Sequence, residues 1–172
     1  DSSEMAQEYL NECMKRTDSA GGIIEGIITG VPAGIGEPVF DKLDACLAKA
    51  IFSIGAVKGF EIGDGFLAAS ACGSSNNDSF LIENGQVTTS TNHAGGILGG
   101  ISSGTPIIFR AAVKPTPSIA SAQQTVNQAG EEISISIHGR HDPIIVPRAV
   151  VVVESMAALT LLDLMLENMG TR

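Results

Sequence analysis

Asn92-His-Ala-Gly-Gly-Ile-Leu-Gly-Gly-Ile-Ser-Ser-Gly104 sets five glycines among a few apolar residues. Glycine adds no side chain to a core and loses the most conformational freedom on ordering, so such density implies a backbone that turns sharply or is closely approached. Two readings stay open: exposed N–H groups forming a concavity for an anion or a flat ring, or a tight bend between strands. Neither nucleotide fingerprint applies, because the glycines do not form GxGxxG before a helix and no Gly-Lys-Ser/Thr is present.

Outward from this stretch the pattern is mostly strand. Upstream, Phe80-Leu-Ile-Glu and Gln86-Val-Thr-Thr flank Asn84-Gly85, the strongest short hairpin signal. Downstream, Pro106 to Val113 reads as a strand ending in Lys114-Pro-Thr-Pro-Ser118, and Ser121–Asn127 pairs with Glu132–Ile137 across Gln128-Ala-Gly130. In the second of these, Ile133, Ile135 and Ile137 alternate with serines as in a half-buried strand. Nearer the N-terminus, Glu4–Arg16 carries apolar residues at helical spacing, Gly21–Val31 is Ile-rich and strand-like, Val39–Ser53 is a second amphipathic helix, and Val57–Ile62 is a short strand. Gly73–Asp78 reads as an exposed loop. The final run, Arg148–Met169, is apolar on nearly every face but broken by Glu154 and Asp163, which points to a buried central helix rather than a membrane span. A weak echo of Gly95–Gly104 in Gly21–Gly30 hints at a duplicated architecture.

With 172 residues the chain suits one α/β (α+β) domain, 1–172. Ten basic against nineteen acidic residues leave a net charge of −9, which argues against a duplex-binding surface, so any anion site must be local. Cys13, Cys46 and Cys72 form no CxxC pair, so neither a zinc site nor a disulfide framework is indicated and no metal is expected. Asp1–Met5 has no signal-peptide pattern, and the expected setting is reducing and cytoplasmic. The chain opens on Asp1 rather than Met, as a processed chain or part of a longer one does.

Two further polar clusters end apolar runs. Lys114-Pro-Thr-Pro-Ser118 joins a cation, two hydroxyls and two stiffening prolines, which suits a phosphate; the alternative is a rigid surface loop with a solvated lysine. Gly139-Arg-His-Asp-Pro143 offers a bidentate donor, Arg140, for a phosphate or carboxylate, and a carboxylate, Asp142, able to move a proton or orient the group that does. Its alternative is an Arg–Asp pair shaping the start of the last helix. The three clusters are expected to converge on one anionic ligand.

These clusters, in this order, resemble chorismate synthase. The resemblance rests on Glu37-Pro-Val-Phe-Asp-Lys-Leu-Asp-Ala45, Ala56-Val-Lys-Gly-Phe-Glu-Ile-Gly-Asp-Gly-Phe66, Asn92–Gly104, Lys114–Ser118, and Gly139-Arg-His-Asp-Pro143 with Pro147-Arg-Ala149 and Glu154. It covers roughly Thr17 to the C-terminus but only the C-terminal half of a usual member. It implies an antiparallel sheet packed on central helices, half of a β-α-α-β layered sandwich, in a homotetramer. It further implies elimination of phosphate from 5-enolpyruvylshikimate 3-phosphate to give chorismate, using reduced FMN. By the same resemblance Gly55, Ala56, Gly99, Lys114, Pro115, Thr116, Pro117, Ser118 and Arg140 contact the cofactor, Arg140 also faces substrate, and Asp142 assists the flavin N5. Gly55 departs from the Asn usual there, and Ile144 from a smaller residue. The family's catalytic histidines and most substrate-binding arginines lie in the N-terminal half, the implied partner, and His93, His138 and His141 do not match them. A second reading, of a different class, is a non-catalytic flavin- or phosphate-binding module.

Overall fold

The computed structural model describes residues 2–83, 85–139 and 142–170. In chain order the elements are α1 (Ser2–Lys15), β1 (Gly22–Ile28), α2 (Leu43–Phe52), β2 (Val57–Ile62), a 3-10 turn (Gly65–Ser70), α3 (Gly73–Asn76), β3 (Phe80–Glu83), β4 (Gln86–Thr89), β5 (Ile97–Leu98), β6 (Ile101–Ser102), β7 (Ile107–Val113), β8 (Gln123–Val126), β9 (Glu132–Ile135) and α4 (Val146–Gly170).

β7 is the centre of the fold. Its alternation puts Ile107, Phe109, Ala111 and Val113 on one buried face, as a strand covered on one side requires. It pairs antiparallel with β1, Gly22 opposite Val113 through Ile28 opposite Ile107, and antiparallel with β2 on its other side. The pairing with β1 fixes a glycine. A Cβ on Gly26 would lie 2.2 Å from Phe109 Cζ, so only glycine lets the Phe109 ring cross β1.

Helices α2 and α4 cover the buried face. Leu43, Leu47 and Ile51 recur every four residues and are fully buried, while α4 contributes Val153, Ala157, Leu161 and Leu164. Each such large aliphatic side chain contributes about 1.5–3 kcal/mol by leaving water. The mixed architecture and antiparallel sheet agree with the class expected from sequence.

Several local expectations are corrected. α2 begins at Leu43, not Val39, because Glu37 N–H bonds the Asp41 carbonyl in a turn, and Phe40 is left exposed. Gly73–Asn76 is a single helical turn rather than loop. The β8–β9 ribbon pairs as expected, but it adds no residue to the core: all four residues of β9 are exposed. α4 has the length and hydropathy of a membrane-crossing helix, yet one stripe lies in the core. It is not buried all round, for Val151, Leu159, Leu162, Leu166 and Met169 are exposed. The echo between the two glycine strings is not structural, since Gly22–Ile28 is a regular strand while Ile97–Ser102 is a six-residue hairpin.

Candidate functional site

Residues Lys114–Ser118 leave the end of β7, where Pro115 and Pro117 stiffen the backbone. The segment is pinned from one side by Ala56, whose carbonyl accepts the Lys114 N–H at 2.9 Å. Ala56 sits at φ 71°, a left-handed conformation that costs an alanine roughly 1 kcal/mol, and such strain persists only where the surroundings enforce it. Beside it, a Cβ on Gly55 would meet nothing, so the main chain here lies open. Gly21 makes room for the same loop, because a Cβ there would lie 2.5 Å from the Val113 carbonyl oxygen.

From the other side the loop is held by the link between α1 and β1. Ser19 Oγ donates to the Thr116 carbonyl at 2.7 Å, and Thr17 Oγ1 lies 2.9 Å from Ser121 Oγ, which in turn donates to the Arg16 carbonyl. The Thr116 hydroxyl itself is buried, with no hydrogen-bond partner among the described residues. An orphaned buried hydroxyl is costly, about 1–3 kcal/mol, and marks a place for an external acceptor or donor.

The link also carries the Asp142 segment. Ala20 N–H bonds the Pro143 carbonyl at 2.8 Å, and Ala20 bridges Ile144. Asp18, Ser19, Ser118, Gly139 and Asp142 then line a cavity of about 200 Å³. Asp142 Oδ2 is paired with Arg148 Nη1 at 2.6 Å, in the first turn of α4. Asp142 thus pairs with Arg148 at the helix start. Arg140, the cation of the Arg140–Asp142 pair considered from sequence, lies outside the described residues, as does His141.

The Asn92–Gly104 stretch does not join them. Gly99 and Gly100, at φ 60° and 85°, form the two-residue turn of the β5–β6 hairpin, a geometry that glycine adopts without strain. The Gly100 carbonyl accepts the Leu43 N–H at 2.8 Å, which seats the hairpin at the start of α2. A Cβ on Gly99 would meet nothing, so its backbone is exposed. The hairpin lies beside Ile107, at the opposite end of β7 from Val113, and six strand steps separate the ends by about 20 Å. So two of the three expected clusters converge in one copy of the chain; the third is kept apart because β7 runs between them.

At that far end Asp78 is the anchor. Its carboxylate accepts the Thr91 hydroxyl and the His93 and Ala94 N–H groups at 2.7, 2.8 and 2.9 Å, and His93 Nδ1 lies 2.7 Å from Asp64 Oδ2. Burial pushes the Asp78 carboxyl up, but the bonds from Ala94, Thr91 and His93 outweigh it and hold the group below its ordinary value. No group of three or more His, Cys, Asp or Glu among the described residues could hold a metal.

Two residues that hold this loop escape sequence reading, Ser19 and Thr17. Their signal is faint: a short polar run, Thr17-Asp-Ser19, between a helix and the paired glycines that open a strand.

The donor set suits a phosphorylated, planar cofactor such as FMN. Lys114, the orphaned Thr116 hydroxyl and Ser118 are fit for the phosphate, and the open main chain at Gly55 for a flat group.

A family model described as chorismate synthase matches residues 1–166. The chain is 64% identical over 172 residues to a chorismate synthase of Agathobacter rectalis, covering all of this chain and 47% of that protein. It is 68% identical over 173 residues to that of Lachnoclostridium phytofermentans, again over 47% of the relative's length. A crystal structure of chorismate synthase superposes with a TM-score of 0.79 at 34% identity, over 97% of this chain and 43% of that one. The chain thus spans about half the length of the curated relatives it matches.

Proposed function

The chain belongs to the chorismate synthase family, and on that footing we propose that it supplies one half of an enzyme eliminating phosphate from 5-enolpyruvylshikimate 3-phosphate to give chorismate. The reaction class is a carbon–oxygen lyase. Reduced FMN, when bound, supplies the electron-rich ring that assists loss of phosphate and a ring hydrogen from opposite faces without net redox change.

The chain's own residues divide the work. Lys114 places a point charge, and Thr116 and Ser118 place hydroxyls, against the cofactor phosphate, with Pro115 and Pro117 holding them in register. Gly55 and Ala56 present main chain to the cofactor. Arg140 pairs with the substrate anion, and Asp142 orients and relays the proton at the reacting centre, its carboxylate fixed by Arg148. Gly99 reaches such a site only across a subunit boundary, where the hairpin tip of one copy faces the loops of another in a homotetramer. The remaining half of the enzyme is the partner that brings the further catalytic groups, and the setting is cytoplasmic, with neither nucleic acid nor membrane as partner.

One observation carries this reading: the orphaned Thr116 hydroxyl, buried beside Lys114 at the meeting point of the loops. The experiment is reconstitution. Phosphate release from 5-enolpyruvylshikimate 3-phosphate should appear when this chain is co-produced with the part of the Agathobacter rectalis relative that it does not cover. Asp142→Asn should then depress turnover far more than FMN affinity, whereas Lys114→Ala should weaken FMN. Half-length also suits a binding module without turnover; FMN binding with no phosphate release on reconstitution favours that second reading.

A further inference from the structure

We propose that Ser19 and Thr17 are positioning residues that set the phosphate end of the cofactor site and so give the chain its preference for a phosphorylated flavin over the same flavin without phosphate. The inference rests on the FMN reading above and assigns it a determinant in the link between α1 and β1.

Backbone strain is the first argument. Among the described residues, Thr17 and Ala56 alone adopt positive φ without being glycine, at 54° and 71°. Both flank one loop: the Ala56 carbonyl holds Lys114 at its start, and the Thr17 hydroxyl and carbonyl hold Ser121 at its end. A β-branched residue in the left-handed region is a genuine outlier, held only where neighbours over-determine it. Positive φ on both sides of Lys114–Ser121, and at no other non-glycine described residue, marks this loop as the segment whose shape the fold protects.

Hydrogen-bond satisfaction is the second. Ser19 Oγ donates to the Thr116 carbonyl across 97 residues of sequence, which fixes the peptide plane that follows Thr116. The Thr116 hydroxyl is buried. Among the described residues nothing partners it, and we assign that role to a ligand. Charge then decides which part of the ligand. The carboxylates lining the adjacent cavity are committed elsewhere, Asp18 to the Ser19 N–H at 2.8 Å and Asp142 to Arg148 at 2.6 Å, and both repel an anion. A phosphate dianion is accommodated on the Lys114 and Thr116 side, away from them.

The test titrates FMN and riboflavin against the co-produced halves and reads binding by flavin fluorescence. Ser19→Ala should weaken FMN roughly tenfold, the equivalent of one lost hydrogen bond to a charged group, and leave riboflavin within about twofold. Ser19→Thr keeps the hydroxyl and should retain FMN affinity. Should Ser19→Ala fail to fold, Thr17→Gly accepts φ 54° without strain, deletes only the hydroxyl contact, and should weaken FMN selectively by a few-fold. Equal weakening of both flavins, or of neither, overturns the inference and leaves the FMN reading standing. Lack of any preference for FMN in the unaltered protein overturns both.

Discussion

At the scale of single residues, the chain is held by side chains that serve backbone. Asp78 is the plainest case, one carboxylate closing a turn of three donors before the glycine hairpin. Its carboxyl is held below the ordinary value of about 3.9, so its contribution to stability is fully present above that pH and is lost as pH falls through the lower, folded value. Asp78→Asn should accordingly lower stability near pH 7, and its difference from the parent should shrink as pH falls through the folded value; a difference that stays constant with pH would refute this. Ser19 and Thr17 belong to the same class and show why part of the site was illegible. Nothing local distinguishes a serine before paired glycines, because its partner, the Thr116 carbonyl, stands 97 residues away. Lys114-Pro-Thr-Pro-Ser118 was legible, since its chemistry is contained within five consecutive residues.

Elements were legible where one rule acted alone. β7 alternates cleanly between buried and half-exposed positions, and β3 and β4 follow directly from Asn84-Gly85 between two apolar runs. Boundaries failed where two rules competed: the apolar stripe of α2 extends toward Val39, but the Glu37–Asp41 turn claims those residues first. The hairpin of β5 and β6 owes its place to Ser102, a buried hydroxyl that accepts the Ile35 N–H at 2.8 Å and donates to the Pro32 carbonyl at 2.6 Å. Ser102→Ala leaves the buried Ile35 N–H unpaired and removes the bond to the Pro32 carbonyl. It should cost about 1–3 kcal/mol in chemical denaturation, well beyond the loss from an exposed serine such as Ser70, and a smaller difference would mean that water replaces the hydroxyl.

For the whole molecule, apolar surface left open is the dominant fact. Val152, Leu159, Leu162 and Leu166 follow one another at seven-, three- and four-residue steps along α4, exposed on a helix whose opposite stripe is core. Ile23 and Ile27 of β1 and Phe66 are likewise exposed. This openness could not be read from composition, because an all-apolar helix looks the same whether a partner comes from this chain or another. The chain by itself should bind an apolar fluorescent dye and self-associate on gel filtration, and both should diminish when the complementary half is co-produced. Dye binding that persists in the reconstituted protein would show that this face has a different use.

β7 has one more consequence. Among the described residues it is the only strand paired on both edges, with the glycine hairpin before its start and the lysine–proline loop after its end. Covalent geometry therefore works as a gauge, holding these two outposts at a constant separation that no rearrangement of neighbouring subunits can stretch. Any assembly built from this chain inherits that interval as its pitch, so the places where one copy can reach into another are decided before the copies meet.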